Sequence, residues 1–402
     1  MNLHRSQPEF FHEAEFCETA DGEFVTIGPA MIIQPSESSR LLQEAVSHHQ
    51  AGRLAEAEAL YQRILSNEPG HSETLRLLGV LARQRGQSDS SREYFELAIK
   101  SNPNSAWACY DLARLEIDCK EIESAMPLLQ HAIQLRPVFP EAHHALGNAY
   151  AACWFLEEAV ASYRQALAQN PALATIREAI AFVEKQQRDV AFLADRIKLA
   201  INEPANISTG SKLAGCELGT RELFPHLLNR LGLTGTGVEV GVREGQFSEH
   251  LLQHWRGRLL YSVDPWREFS QTDYQDSSNV PQSKQDKLYQ DTIKRLMPHA
   301  DRSVIWRMTS REAASLVADG SLDFCYIDAD HGYQAVREDV QLWWPKVKLG
   351  GMLGGHDFIA DGTYSFGTFG VQSAVNEFAK AHNLELIISK ETPFRSWFVV
   401  KG

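Results

Sequence analysis

The stretch Asp323–Phe358 reads DFCYIDADHGYQAVREDVQLWWPKVKLGGMLGGHDF, and the fold of the second half of the chain follows from it. Phe324–Ile327 is a short apolar run of the kind buried on both faces of a sheet, and Met352–Gly355, behind Gly350 and Gly351, is another. Between them Val336, Val340, Trp343 and Trp344 recur at helical spacing, while Arg337, Glu338 and Asp339 fall on the polar side. The pattern is strand, helix, strand. Asp328, Asp330 and His331 follow the first strand, and His356 and Asp357 follow the second. In an open parallel sheet the carboxyl ends of the strands border the ligand crevice, so both sets are expected to face one cavity.

Around this unit strands and helices alternate. GVEVG (Gly237–Gly241) precedes a helix near Phe247–His254, and LLYSVDP (Leu259–Pro265) precedes one near Asp286–Leu296. SVIWRM and REAASLVA follow, then the quoted unit and a helix near Val371–His382. LELIISK and SWFVVK are separated only by ETPFR, too short for a helical crossover, so they are predicted to pair antiparallel. The expectation is an α/β, Rossmann-like sheet of seven strands, five parallel and a final hairpin.

Glu239-Val240-Gly241-Val242-Arg243-Glu244-Gly245 sits at the first strand-to-helix turn, and Asp264 ends the second strand 23 residues after Gly241. With the strand pattern, these residues resemble the class I S-adenosylmethionine-dependent methyltransferase fold over residues 222–402. The resemblance implies S-adenosylmethionine as cofactor, with Glu239, Gly241, Gly245, Asp264 and Ser310 binding it. Gly241 and Gly245 would let the backbone approach the cofactor, amides at the following helix start would meet its carboxylate, and Asp264 would accept the ribose hydroxyls. Thr309 and Ser310 end the third strand, where the family contacts the adenine; MTSRE also reads as a plain capping box.

Asp328 and Asp357 are 29 positions apart. This spacing is similar to that of the metal-ligand carboxylates in metal-dependent small-molecule and antibiotic-sugar O-methyltransferases, and implies Asp328, His356 and Asp357 as ligands of a divalent metal. The family places two acidic or amide residues where this chain has His-Asp. Imidazole suits Mg²⁺ less well than Mn²⁺ or Fe²⁺, so metal identity and metal use stay open, the acids binding only substrate hydroxyls being the alternative. His331, three residues after Asp328, stands at the family's general-base position, giving His331 and Asp328 catalytic roles. Capping of the next helix is its alternative. Phe269–Lys287 and Phe358–Gly370 are long loops expected to lie over this rim, and the aromatics of the second suit a sugar or another ring-bearing alcohol.

Upstream, Pro69, Pro103, Pro137 and Pro171 recur every 34 residues. On that period lie Ala45, Gly79, Ala113 and Gly147 in a first helix, then Ala57, Ser91, Ala125 and Ala159 in a second. Tyr61, Phe95, Leu129 and Tyr163 follow these. The pattern resembles the tetratricopeptide repeat, four units over residues 38–172, and implies a helical-repeat solenoid that binds a protein or peptide or assembles a homo-oligomer. Residues 1–37 read as an irregular segment in which EFVTIG and AMIIQP are each short enough strands, 173–203 as a capping helix and 204–221 as a linker.

A content of 44% hydrophobic and 23% charged residues suits a folded chain, and a net charge of −13 opposes nonspecific nucleic-acid binding. No apolar run approaches a membrane span, and MNLHRSQPEF lacks a signal-peptide core, so a cytoplasmic protein is expected. Six scattered cysteines without a CxxC pair suggest reduced thiols. The leading function is methyl transfer to a hydroxyl of a small molecule or sugar. A non-catalytic scaffold, a metal-dependent hydroxylase on the same fold, and N-methylation are the alternatives.

Overall fold

A computed structural model describes residues 16–18, 24–26, 36–202, 213, 216–270 and 277–402. AMIIQP and most of the 204–221 stretch lie outside the described residues. The chain forms two compact units, Met1–Cys119 and Lys120–Gly402.

The first unit pairs β1 (Phe16–Glu18) with β2 (Phe24–Thr26), and only the second of these strands falls in a segment the sequence suggested. Helices α1 (Glu37–Gln50), α2 (Leu54–Asn67), α3 (Ser72–Gln84), α4 (Ser88–Ser101) and α5 (Ala106–Asp118) follow. They form antiparallel pairs because small residues let the backbones approach. A methyl group at Gly79 would fall inside contact distance of the Phe95 ring, and the Ser91 hydroxyl donates to the Gly79 carbonyl at 2.8 Å. Pro69 and Pro103 stand two residues beyond α2 and α4, where proline cannot continue a helix.

The second unit continues the repeats with α6 (Ile122–Leu135), α7 (Pro140–Ala152) and α8 (Leu156–Gln169), Gly147 packing under Tyr163 as Gly79 does under Phe95. The long α9 (Ala174–Asn202) covers the last repeat, and α10 (Phe224–Leu231) precedes the sheet. One apolar core runs from Leu156 and Tyr163 of α8, through Val190 and Ile197 of α9, to Phe224 and Leu227 of α10 and on to Phe324 of the sheet. The last repeat is therefore continuous with the α/β layer.

The strands are β3 (Glu217–Leu218), β4 (Thr236–Val240), β5 (Leu259–Asp264), β6 (Ser303–Arg307), β7 (Leu322–Ile327), β8 (Val347–Gly355), the hairpin β9 (Gly362–Tyr364) and β10 (Gly367–Phe369), and β11 (Ile387–Ser389) with β12 (Trp397–Val400). The main sheet runs β3-β11-β12-β8-β7-β4-β5-β6, with β4 to β8 parallel and β12 antiparallel to both neighbours. The seven expected strands are present. An eighth, the two-residue β3, pairs parallel with β11 in a stretch read as linker. Helices α11 (Gln246–His254) and α12 (Gln282–Leu296), then α13 (Ser310–Leu316), α14 (Tyr333–Trp343) and α15 (Val371–Ala381), complete the alternation. Val336, Val340 and Trp343 of α14 are buried against the sheet, as their spacing predicted. The expected loop 269–287 ends at Pro281 because α12 begins at Gln282, four residues before the Asp286 that its apolar pattern indicated. Five cysteines among the described residues are unpaired, and no described helix is long and apolar enough to cross a membrane.

Candidate active site

Parallel register brings the ends of β7 and β8 together, Ile327 lying opposite Gly355. The next residues face each other: Asp328 Oδ1 is 3.9 Å from His356 Nδ1, and His356 Nδ1 is 3.4 Å from Asp357 Oδ1. The other oxygen of Asp357 is 2.8 Å from His331 Nε2. One donor atom each from Asp328, His356 and Asp357 lies within 4.8 Å of the others, close enough to share an ion. Asp357 thus touches two imidazoles, from a left-handed backbone with φ +56° that aspartate tolerates better than most residues. Such conformations persist where the surroundings impose them.

Burial pushes the Asp328 carboxyl above its ordinary range, Asp357 adding to this and the imidazoles opposing it. Asp357 is buried as well, yet hydrogen bonds from His331 and His356 hold it well below its usual range. His356 is raised: burial opposes its protonation, but the bond to Asp357 and the charge of Asp328 outweigh that. An imidazole with two carboxylates is a donor set suited to Mn²⁺ or Fe²⁺ more than to Mg²⁺.

Aromatic rings crowd this cluster. His331 stacks on Phe369 with centroids 4.7 Å apart and planes 5° from parallel. Phe366 lies 5.4 Å from Phe369 and 5.7 Å from Phe394, and Tyr364 stacks on Phe366 at 5.4 Å. The β9–β10 hairpin thus supplies the rings expected of the second loop. It also meets the first loop, where the Ser277 amide donates to the Phe366 carbonyl at 3.1 Å.

The cofactor positions are arranged otherwise than expected. Gly241 has φ +89°, and a side chain there would overlap the Asp328 carbonyl and approach Ala329 Cα to 2.7 Å. Gly245 has φ +77° and lies against Thr292. Both glycines are required by the protein's own backbone, before any ligand is considered. Glu239 is only 1% exposed; its carboxyl accepts from Ser248, and burial raises its pKa to about 8. Sealed beneath the turn, this acid braces the loop and does not face an open crevice. Ser310 Oγ donates to Asp339 at 2.5 Å and accepts from Trp343 Nε1 at 2.9 Å, so its hydroxyl is taken up in packing α13 on α14. Thr309 is the cap, in a reciprocal box with Glu312.

Asp264 does stand at the end of β5. Its Oδ2 accepts from the Val242 and Arg243 amides at 3.1 and 2.9 Å, and its Oδ1 from the Trp266 amide at 2.7 Å. An ionised carboxylate offers about four acceptor sites, so about one remains for a hydroxyl. The residue first holds the glycine turn and can then take one ribose hydroxyl. α11 begins at Gly245 without a side-chain cap, leaving its first amides to an anion or solvent.

Sequence reasoning missed Arg221, on a single 3-10 turn within the stretch read as linker. Its guanidinium lies over the Phe247 ring, 5.1 Å from the centroid, and NH1 is 3.4 Å from Asp328 Oδ2. Glu391 was missed as well; its Oε2 accepts from the Arg221 amide at 2.7 Å. No periodic signal marks either. A cavity of about 710 Å³ lies apart from this cluster, lined by Phe155, Glu157, His226, Arg230 and His254 among others.

The family model described as "Methyltransferase domain" matches residues 238–358, and two described as "Tetratricopeptide repeat" match 42–106 and 82–149. No curated protein matches. Among solved structures, "Crystal structure of MamA protein" is 22% identical over 37% of this chain and 81% of that one, with a TM-score of 0.34. "MamA 41-end from Desulfovibrio magneticus RS-1" is 20% identical over 38% and 88%, with a TM-score of 0.35. The chain carries tetratricopeptide repeats followed by a methyltransferase domain.

Proposed function

We propose that the chain transfers a methyl group from S-adenosylmethionine to a hydroxyl of a small molecule or sugar, with the repeats engaging a protein or peptide partner. The observation that carries this reading is the double engagement of Asp357, with one oxygen on His331 and the other toward His356. With Nε2 bonded to a carboxylate, the His331 ring is fixed in orientation, the arrangement a general base needs. A hydroxyl must lose its proton as the methyl group arrives; a neutral amine acceptor needs no such base at that moment. Asp328, His356 and Asp357 would hold a divalent cation, which supplies Lewis acidity and lowers the pKa of a bound hydroxyl. The rings of Tyr364, Phe366, Phe369 and Phe394 would stack on the acceptor's apolar face and exclude water.

A second reading, a non-catalytic scaffold, draws on the sealed Glu239 and on the three amides that already occupy Asp264. Calorimetric titration of S-adenosylmethionine into the full chain, with and without Mn²⁺, separates the two. Saturable donor binding, with Mn²⁺ binding that is lost in Asp328→Asn, is the expected result. A folded chain that binds no donor overturns the enzyme reading in favour of the scaffold.

A further inference from the structure

We infer that Arg221 is the residue that receives the carboxylate at the methionine end of the methyl donor. This rests on the donor reading above. The backbone of Arg221 is firmly placed. The Arg221 amide donates to Glu391 Oε2. The other oxygen of Glu391 accepts from the Ser389 hydroxyl at 2.6 Å and from the Ser396 amide and hydroxyl at 3.0 and 2.8 Å. A buried frame at the β11–β12 hairpin thus fixes the point from which the guanidinium enters the site.

The guanidinium hydrogen-bonds the Tyr326 hydroxyl but has no short ion pair among the described residues. Its ion pairs are long, 3.4 Å to Asp328 and 3.7 Å to Glu222, with the Tyr326 hydroxyl beside it. Arg76 in the repeats shows the contrast, with 2.6 Å pairs to both Glu73 and Asp111. A guanidinium carries five donors in a fork suited to a carboxylate, and its side chain here is only 29% exposed. Asp328 is moreover part of the proposed cation site. With its charge committed there, Arg221 keeps only the 3.7 Å pair to Glu222 and has donors to offer a further anion.

Sheet order says which anion. Across the carboxyl edge run β8, β7, β4 and β5, carrying in turn His356 and Asp357, Asp328, the glycine turn, and Asp264. Arg221 sits over Phe247, the second residue of α11, and beside Asp328, between the glycine turn and the acid cluster. A donor whose ribose meets Asp264 and whose chain crosses the β4 turn brings its amino-acid end to Arg221. Its carboxylate is the donor's one anionic group. The methyl-bearing sulfur then lies between that end and the ribose, facing the acids of β7 and β8.

The test is calorimetry on the full chain with two ligands, S-adenosylhomocysteine and 5′-methylthioadenosine, which lacks the amino-acid end. Arg221→Met keeps the apolar stem over Phe247 and removes the charge; Arg221→Gln serves if that variant does not fold, and Arg221→Lys tests rescue. The expected result is that S-adenosylhomocysteine weakens about 10- to 100-fold in the Met or Gln variant and recovers in part with Lys, while 5′-methylthioadenosine changes less than about threefold. Equal weakening of both ligands, or unchanged S-adenosylhomocysteine affinity, overturns the inference. A folded wild-type chain that binds neither ligand overturns the donor reading itself, a separate result.

Discussion

Two groups of histidines lie within the Lys120–Gly402 unit, and although burial works against protonation in both, their neighbours give opposite results. His226, His250 and His254 pack ring against ring, centroids 5.5 Å apart for His226 and His254 and 4.5 Å for His250 and His254, with Phe155 of the last repeat 4.5 Å from His254. His250 Nε2 meets the Glu222 carbonyl at 2.8 Å, and none of the three bonds a carboxylate among the described residues. Burial lowers all of them, His250 to about 4 and His254 to about 3. His331 and His356 are also largely enclosed, but each touches Asp357, and His356 is raised. Desolvation alone makes an imidazole a neutral packing ring. A carboxylate in contact makes it a group that can hold a proton.

The sharpest way to break this contrast is to neutralise the shared carboxylate. Asp357→Asn keeps the shape and removes the charge that orients both imidazoles. Mn²⁺ affinity and S-adenosylhomocysteine formation in the presence of an acceptor are each expected to fall by about 100-fold or more. Donor affinity should change less than about threefold, because the proposed function gives Asp357 to the cation and the acceptor. An equal loss of donor affinity would assign Asp357 to the frame of the site instead.

Much of this was legible in the sequence, and what was not has a common cause. Gly79 and Gly147 were readable as close-approach positions because a 34-residue period aligns them with Phe95 and Tyr163, and the structure places those rings where a methyl group would go. The meeting of Asp328, His331, His356 and Asp357 was readable because parallel neighbours put their carboxyl ends side by side. Gly241 was readable as a glycine, though not for its reason, the passage of the β7 backbone across it. Glu239, Ser310 and Arg221 depend on partners far away in sequence: Ser262 beyond Ser248, Asp339 and Trp343 on α14, and Asp328 with Glu391. Periodicity reports which face of an element is buried. It carries no information about which distant side chain meets a given polar atom.

The acid dependence of stability separates the two groups of histidines as well. His250 and His254 take up protons only near pH 4 and 3 when folded, whereas unfolded histidines protonate near pH 6.5, so the unfolded chain takes up protons first as pH falls. The stability these rings contribute is complete above about 6.5 and declines as pH drops toward 4. His254→Phe removes one such titration. By linkage the variant should gain about 2 kcal/mol on wild type between pH 7.5 and pH 5, measured by urea unfolding of the full chain. A constant difference across that range would mean that His254 is already open to protons in the folded state.

The smallest expected effect is the same substitution at pH 7.5, and its smallness is the point. His254 is 7% exposed, its Nε2 has no hydrogen-bond partner, and it stacks among Phe155, His226 and His250. Phenylalanine keeps the ring and removes the unpartnered buried Nε2 at the loss of the ring's hydrogen bond to the Cys153 backbone, so apolar gain largely offsets the change. The cost should stay within about 1 kcal/mol, with donor and Mn²⁺ affinity unchanged. His331→Phe is equally conservative in shape, and would also keep a ring against Phe369, but it cannot accept a proton or bond Asp357. If His254→Phe proved as damaging to ligand binding as Asp357→Asn, contact with a carboxylate would no longer separate working histidines from packing ones, and the trio and its cavity would have to be counted as part of the site.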